Sequence, residues 1–321
     1  MRSQFCQFLT VAALALGGAS VHAQGEVTRL IVPFAPGGAQ DVIGRLLAER
    51  LGSRLGAPVV VENKAGAGGV IAADAVAKAK PDGRTLLLAT GGAITIAPHL
   101  ISKLSYDPRK DFVPIALVAD TPVTLAVRVQ SPYANVADLL KDAKANPGKV
   151  SFASTGNGTI SHLTGELLAQ AAGVQLLHVP YRGAGPAITD LLGGQVAAMV
   201  TSSASIEPMV LDKKARVLGS FTKAPIAALH GAPTMGEATG LKGLTVPVWV
   251  GLLAPAGTAK PVLDKLATEL QAICAQPDII ERFKALGAAA TCGGPAELGK
   301  VIAEDDKRWE GVIRQGKIQV N

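Results

Sequence analysis

From Arg29 onward, stretches of unbroken apolar residues give way to stretches with apolar residues three and four apart, and each change of pattern marks an element. RLIVPF reads as a strand, APGGAQ interrupts it, and DVIGRLLAERL then puts Ile43, Leu46, Leu47 and Leu51 on one helical face. A second strand, PVVVEN, follows closely. GAGGVIAADAVAKA supplies another glycine turn and helix, and RTLLLAT the next strand. The opening is therefore βαβαβ, which implies a parallel sheet with helices packed on it.

A second series begins near TPVTLAVRV. It runs through helix NVADLLKDAKA, strand KVSFAS, glycine turn TGNGT, helix SHLTGELLAQAAG, strand QLLHVPY, helix GPAITDLLGG and strand QVAAMV, and it predicts a second α/β lobe. LTVPVWVGLLAPAGT is apolar and carries Pro247 and Pro255, so it is expected to pass extended between the lobes. A helix then opens with Thr258 as N-cap and Pro261 in its first turn. The last helical stretches, DKLATELQAICA, DIIERFKALG and AELGKVIAEDDKRWEGVIRQ, have no strands left to pair and are expected to cover the first lobe. The result is a discontinuous first lobe, residues 24–122 with 248–321, and an inserted second lobe, residues 123–247. Such a hinged clamshell places ligands in the cleft where strand ends and helix starts converge.

Ahead of these elements stand a cation at Arg2, an apolar run from Val11 to Ala19, and Val21-His22-Ala23. That order reads as a secretory signal peptide over residues 1–23, cleaved after Ala23. The run is too short to anchor the chain, and no later stretch approaches the ~20 apolar residues of a membrane helix. Cys6 precedes the run, so no cysteine is placed to take a lipid. An exported protein without a membrane anchor is expected. The hydrophobic fraction of 48% and mean hydropathy of +0.32 reflect Ala and Gly, and fit a large core of small residues. The 31 basic and 25 acidic residues leave a modest excess of +6, which helps to attract anions. Scattered cations and 4% aromatics make neither a basic stripe nor a stacking platform, so no nucleic-acid partner is expected. Cys274 and Cys292 survive the cleavage, and an oxidising compartment makes a disulfide stapling two helices an expectation. Their spacing matches no zinc motif.

Two glycine turns each follow a strand and open a helix: Pro36-Gly37-Gly38-Ala39-Gln40-Asp41 and Ser154-Thr155-Gly156-Asn157-Gly158-Thr159. Amides at a helix start and the positive end of its dipole suit a carboxylate, and glycine lets it approach. Each turn taken alone is equally an ordinary tight βα connection. Neither these nor Gly66-Ala67-Gly68-Gly69 has nucleotide-binding spacing. There is no G-x-S-x-G elbow, and Ser161-His162 are helix neighbours, so no catalytic residue is expected. His162 and Glu166 lack further ligands for a metal, and no cofactor is implied. Asp41 and Arg45 make an i, i+4 pair. Tyr181 and Arg182 end one strand in VPYRG, and Met199-Val200-Thr201-Ser202-Ser203 ends another with small hydroxyls, which could meet a carboxylate or only turn the chain.

VPFAPGGAQD, ENKAGAGG, AKPDGRTLLL, LSYDPRKDFVPIALV, ANPGKVSFASTGNGTISHLTGEL, HVPYRGAGPAITDLLGGQVAAMV and LLAPAGT, in this order, resemble the Bug family, the extracytoplasmic substrate-binding proteins of tripartite tricarboxylate transporters. The resemblance implies a two-lobed, type II periplasmic-binding-protein fold, each lobe a mainly parallel sheet flanked by helices. It implies a monomer in the periplasm, without enzymatic activity, that closes on a small carboxylate and delivers it to membrane permease subunits. By position, the ligand loops are Pro36 to Asp41, with Thr90, Gly91, Gly92 and Ala93 beside them, and Ser154 to Thr159, with His162 supporting the helix start and Tyr181 and Ser203 lining the far side. Gln40 departs from the family's usual small hydroxyl residue, and FTKAPIAALHGAPTMGEATG lacks an arginine expected before its Pro-Thr pair. A di- or tricarboxylate is the expected ligand, although acidic amino acids and aromatic carboxylates satisfy the same grip. A sensor that presents its closed form to a membrane receptor, or an exported α/β enzyme, are the alternatives.

Overall fold

The computed structural model describes residues 27–37, 39–225 and 231–319; the expected signal peptide and Gly38 lie outside them. The chain opens with β1 (Thr28–Val32), α1 (Ala39–Leu55), β2 (Val59–Asn63), α2 (Val70–Ala77), β3 (Thr85–Ala89), a short α3 (Ala97–Leu100) and β4 (Phe112–Asp120). It then crosses to a second sheet through β5 (Val123–Arg128), α4 (Val136–Ala145), β6 (Ser151–Ser154), α5 (Ile160–Ala172), β7 (Leu177–Pro180), α6 (Ala184–Gly193), β8 (Ala198–Ser202), α7 (Ser203–Leu211), β9 (Ala215–Ser220) and α8 (Met235–Thr239). It returns through β10 (Trp249–Pro255), α9 (Lys260–Cys274), α10 (Pro277–Ala285), β11 (Ala289–Gly293) and α11 (Pro295–Gly316).

The strand orders are β11-β4-β10-β3-β1-β2 and β7-β6-β8-β5-β9. β1 pairs parallel with β2 and β3, and β6 with β7 and β8, as βα alternation requires. In each sheet an antiparallel strand is inserted between like-directed ones, β10 between β3 and β4 and β5 between β8 and β9, and β11 adds a second antiparallel strand at the edge of the first sheet, beside β4.

The segment expected to run extended between the lobes is thus a central strand. All seven residues of β10 are buried, because a strand covered on both faces is continuously apolar and lacks the alternation that marks a half-exposed one. β11 was not anticipated either, since its five residues include Gly293 and two exposed positions. The C-terminal cover is also shared. In α11, Leu298 packs into a core of the first lobe, whereas Trp309, Val312 and Ile313 pack into the main core of the second. Cys274 and Cys292 are unbridged in this structure, and Cys292 lies in β11 and not on a helix.

Two crossings join the lobes, and they are bonded to each other. Thr121 donates its backbone N–H (2.9 Å) and its hydroxyl (3.1 Å) to the Val248 carbonyl, and Val248 N–H donates to Asp120 Oδ1 at 2.9 Å. Burial pushes the Asp120 carboxyl up, while the Val248 and Thr121 amides favour its charge. Asp120→Ala leaves the Val248 amide without its acceptor and should cost about 1–3 kcal/mol of stability. Urea midpoints check this, with Asp120→Asn, which keeps an acceptor oxygen, expected to recover most of the loss; an unchanged midpoint for the alanine variant would remove this bond from the account.

Candidate ligand-binding site

Between the sheets lies a cavity of about 1030 Å³ whose wall is built mostly from βα connections. After β1, Pro33, Phe34, Ala35, Pro36 and Gly37 line it, followed by Ala39 and Gln40 at the start of α1. Asp41 does not join them. It is 2% exposed, and its carboxylate accepts from Gly37 N–H (2.9 Å), Arg45 Nε (3.0 Å) and Asn63 Nδ2 (2.8 Å). Burial opposes its charge, but the bonds from Arg45, Asn63 and Gly37 win and hold the carboxyl below its ordinary value. Asn63 also donates to the Phe34 carbonyl (3.0 Å), so Asp41 and Asn63 set the loop's shape from behind.

After β2, Ala65, Gly66, Ala67, Gly68 and Gly69 form a second part of the wall. Sequence reasoning did not place this turn in the site, although it has the same strand, glycine and helix-start order as the others. After β3, Thr90 and Gly92 face the cavity, and the chain continues in one wide π-type turn at Gly92–Ile96. A Cβ on Gly92 would stand 2.5 Å from the Gly68 carbonyl oxygen, so glycine is what lets these two loops touch. Gly91 and Ala93, both expected in the site, lie behind the wall. The Gly91 carbonyl is 2.9 Å from Thr95 Oγ1, which lies 2.7 Å from buried Asp305, and the Ala93 carbonyl accepts from Tyr106 Oη at 2.7 Å.

In the second lobe Thr155, Gly156, Asn157, Thr159, Ile160 and Ser161 line the cavity. Thr159 caps α5 by accepting from His162 N–H and donates its hydroxyl to the Gly156 carbonyl at 2.8 Å. Beneath the loop, Ser154 Oγ is 2.6 Å from His178 Nε2, and Gly158 N–H donates to His162 Nδ1 at 3.2 Å. Accepting at Nδ1 puts the proton of neutral His162 on Nε2, towards Glu166 Oε1 at 3.9 Å. The two imidazoles stack with centroids 3.8 Å apart. His178, which no sequence signal marked, therefore supports this loop together with the expected Ser154, Gly158 and His162.

The far wall comprises Tyr181, Arg182 and Gly183, the start of α6 with Ile188, and Thr201, Ser202 and Ser205. The Tyr181 phenol donates to Asp190 at 2.6 Å, so its ring and not its hydroxyl is free for a ligand. Ser203 is turned away: it is 1% exposed and donates to the Gly287 carbonyl at 2.9 Å, a contact between lobes. Thr201, by contrast, is fully buried beside the cavity, and its hydroxyl has no partner. Among the described lining residues Arg182 carries the sole charge. The starts of α2, α6 and α7 have no side-chain cap, which leaves first-turn amides for a ligand. No three His, Cys, Asp or Glu side chains gather as a metal site among the described residues, and no described helix is long and apolar enough to cross a membrane.

Residues 43–318 match the model of the tripartite tricarboxylate transporter family receptor. The fold is similar to that of the periplasmic binding protein BugD, with a TM-score of 0.82 and 39% identity over 91% of this chain and 98% of BugD. It is similar to Rpa4515 of Rhodopseudomonas palustris with adipate, with a TM-score of 0.84 and 31% identity over 92% and 99% of the two chains. It is also similar to MatC of the same organism with bound malate, with a TM-score of 0.82 and 34% identity over 90% and 99%.

Burial lowers the His162 pKa from 6.5 to about 4, and burial together with the charge of His162 lowers that of His178 to about 3. Between pH 6.5 and those values the unfolded chain takes up protons that the folded chain refuses. The pair's contribution to stability is thus complete above pH 6.5 and falls as pH drops through about 4. Urea midpoints measured from about pH 7 to about pH 5 should fall less steeply for His178→Gln than for the parent chain, whereas parallel profiles would show that the imidazole is not kept neutral.

Proposed function

Because the chain belongs to the tripartite tricarboxylate transporter receptor family of periplasmic solute-binding proteins, we propose that it captures a small aliphatic di- or tricarboxylate between its lobes and delivers it to the membrane permease subunits of such a transporter. One observation carries the carboxylate reading: glycine-rich helix starts from both lobes surround a cavity whose described lining residues include a single cation and no acid. Backbone amides and helix dipoles stabilise an anion there without a buried counter-charge. Two similar proteins hold malate and adipate, both dicarboxylates, which supports the same ligand class here.

In this reading one carboxylate sits between the Pro36–Gln40 and Thr155–Thr159 turns, and Arg182 with the Thr201 hydroxyl meets the distal end. A ligand that touches both lobes favours the closed arrangement over the open one by the contacts it makes only there. The Gly66–Gly69 turn of the first lobe already approaches the Thr155–Thr159 turn, since a Cβ on Gly68 would lie 3.8 Å from the Gly158 carbonyl oxygen. The protein's role is capture and release, with no bond made or broken.

Thermal shift against a panel of aliphatic dicarboxylates, tricarboxylates and the matching monocarboxylates tests the proposal. A diacid or triacid at 100 times its Kd should add about 2.7 kcal/mol of stability and raise Tm with the logarithm of concentration; a panel without any such response overturns the ligand class. Thr201→Val should weaken that ligand about tenfold while leaving the ligand-free protein as stable or more so, because it removes a buried hydroxyl that has no partner. Gln40→Thr should reorder the ligands by chain length without changing the ligand-free Tm, and an identical ranking would take Gln40 out of the site.

A further inference from the structure

Two thiols lie outside the cleft, and the ligand reading uses neither. Cys274 is the last residue of α9, fully buried, with its sulfur 3.8 Å from the Val118 carbonyl oxygen. Cys292 lies in edge strand β11, half-buried against the same first-lobe core, and its carbonyl oxygen is 3.5 Å from Nε2 of Gln271, about one helical turn before Cys274 on α9. Cys292 also adopts a backbone conformation that glycine would adopt at lower cost. Its φ is +50°, and it lies where the register of β11 on β4 slips between Ala290 and Gly293. Such a bulge redirects a side chain, and glycine is the residue it favours. Here a cysteine occupies it, against the core that holds Cys274, the only other cysteine among the described residues.

We propose that Cys274 and Cys292 form an intramolecular disulfide in the exported protein. The oxidant is a protein disulfide of the periplasm. The Cys292 thiolate attacks one of its sulfurs, that S–S bond breaks, and a mixed disulfide forms. Cys274 then loses its proton and attacks Cys292 Sγ, which breaks the mixed disulfide and expels the oxidant sulfur that Cys292 had attacked. Two thiols are oxidised, one disulfide is reduced, and the two protons end on the oxidant's thiols. Cys292 makes the first attack because it is the accessible partner; burial pushes the Cys274 thiol up to about 12.

The closed loop contains α10 and the turn at Gly287, whose carbonyl accepts from Ser203 of the second lobe. The bridge therefore fastens to the first-lobe sheet the segment through which that lobe touches α7. It acts mainly by restricting the unfolded chain, and its contribution does not depend on any ligand.

The test is a thiol count on the mature protein recovered from the periplasm without reductant. In denaturant, a maleimide should label no cysteine before reduction and both after it, and the intact mass should be lighter by two hydrogens. A reductant should lower Tm by roughly 5–10 °C in the parent chain and leave the Tm of Cys292→Ala unchanged. Two free thiols in the protein as recovered, or disulfide-linked dimers, overturn the proposal. The readout involves no ligand, so it stands or fails independently of the carboxylate assignment.

Discussion

The structure turns on the three hydrogen bonds that hold its two crossings together. Asp120 and Thr121 leave the first sheet as Val248 returns to it, and Val248 is bonded on both sides of its peptide, by Asp120 at its amide and by Thr121 at its carbonyl. In a buried place each of these groups needs a partner, so the crossings cannot drift apart without leaving polar groups unpaired. Thr121 and Val248 also form part of the cavity wall. The junction between the lobes and the floor of the cavity are therefore built from the same few residues. α11 adds a third connection, since its first half packs on one lobe and its second half on the other.

Around that floor the two lobes solve one problem in different ways. A loop that presents its amides to an anion cannot use them to hold itself together, so its shape has to come from behind. In the first lobe a buried carboxylate does this: Asp41 takes the Gly37 amide and is itself held by Arg45 and Asn63. In the second, neutral imidazoles and a serine do it, with His162 taking the Gly158 amide and His178 meeting Ser154. Neither device brings charge of the wrong sign to the cavity. The Asp41 charge is answered by Arg45, and burial keeps the imidazoles neutral. The wall thus stays favourable to anions although the net charge of the chain is small.

The glycine turns at Pro36–Asp41 and Ser154–Thr159 were legible because strand, glycine and helix start are adjacent in sequence. The same grammar was present at Gly66–Gly69, but screening that turn only for nucleotide spacing hid it. Ser203 and Thr201 show the limit more sharply. They are two residues apart at the end of one strand, with similar side chains, yet Ser203 bonds to Gly287 and Thr201 is left beside the cavity without a partner. Nothing local distinguishes them, because the difference is made by a turn in the other lobe. His178 was invisible for the same reason: its role comes from the stack with His162 and the contact to Ser154.

The sequence by itself determined the α/β alternation, two sheets with parallel βα units, and the family. Period, turn chemistry and motif order are properties of residues near one another in the chain. Tertiary structure alone decided that β10 enters the middle of the first sheet, that α11 serves both cores, and which hydroxyls and glycines face the ligand space. Those outcomes depend on contacts between distant segments, such as Asp120 with Val248, 128 residues apart, and burial and hydrogen-bond partners exist only once such segments have met.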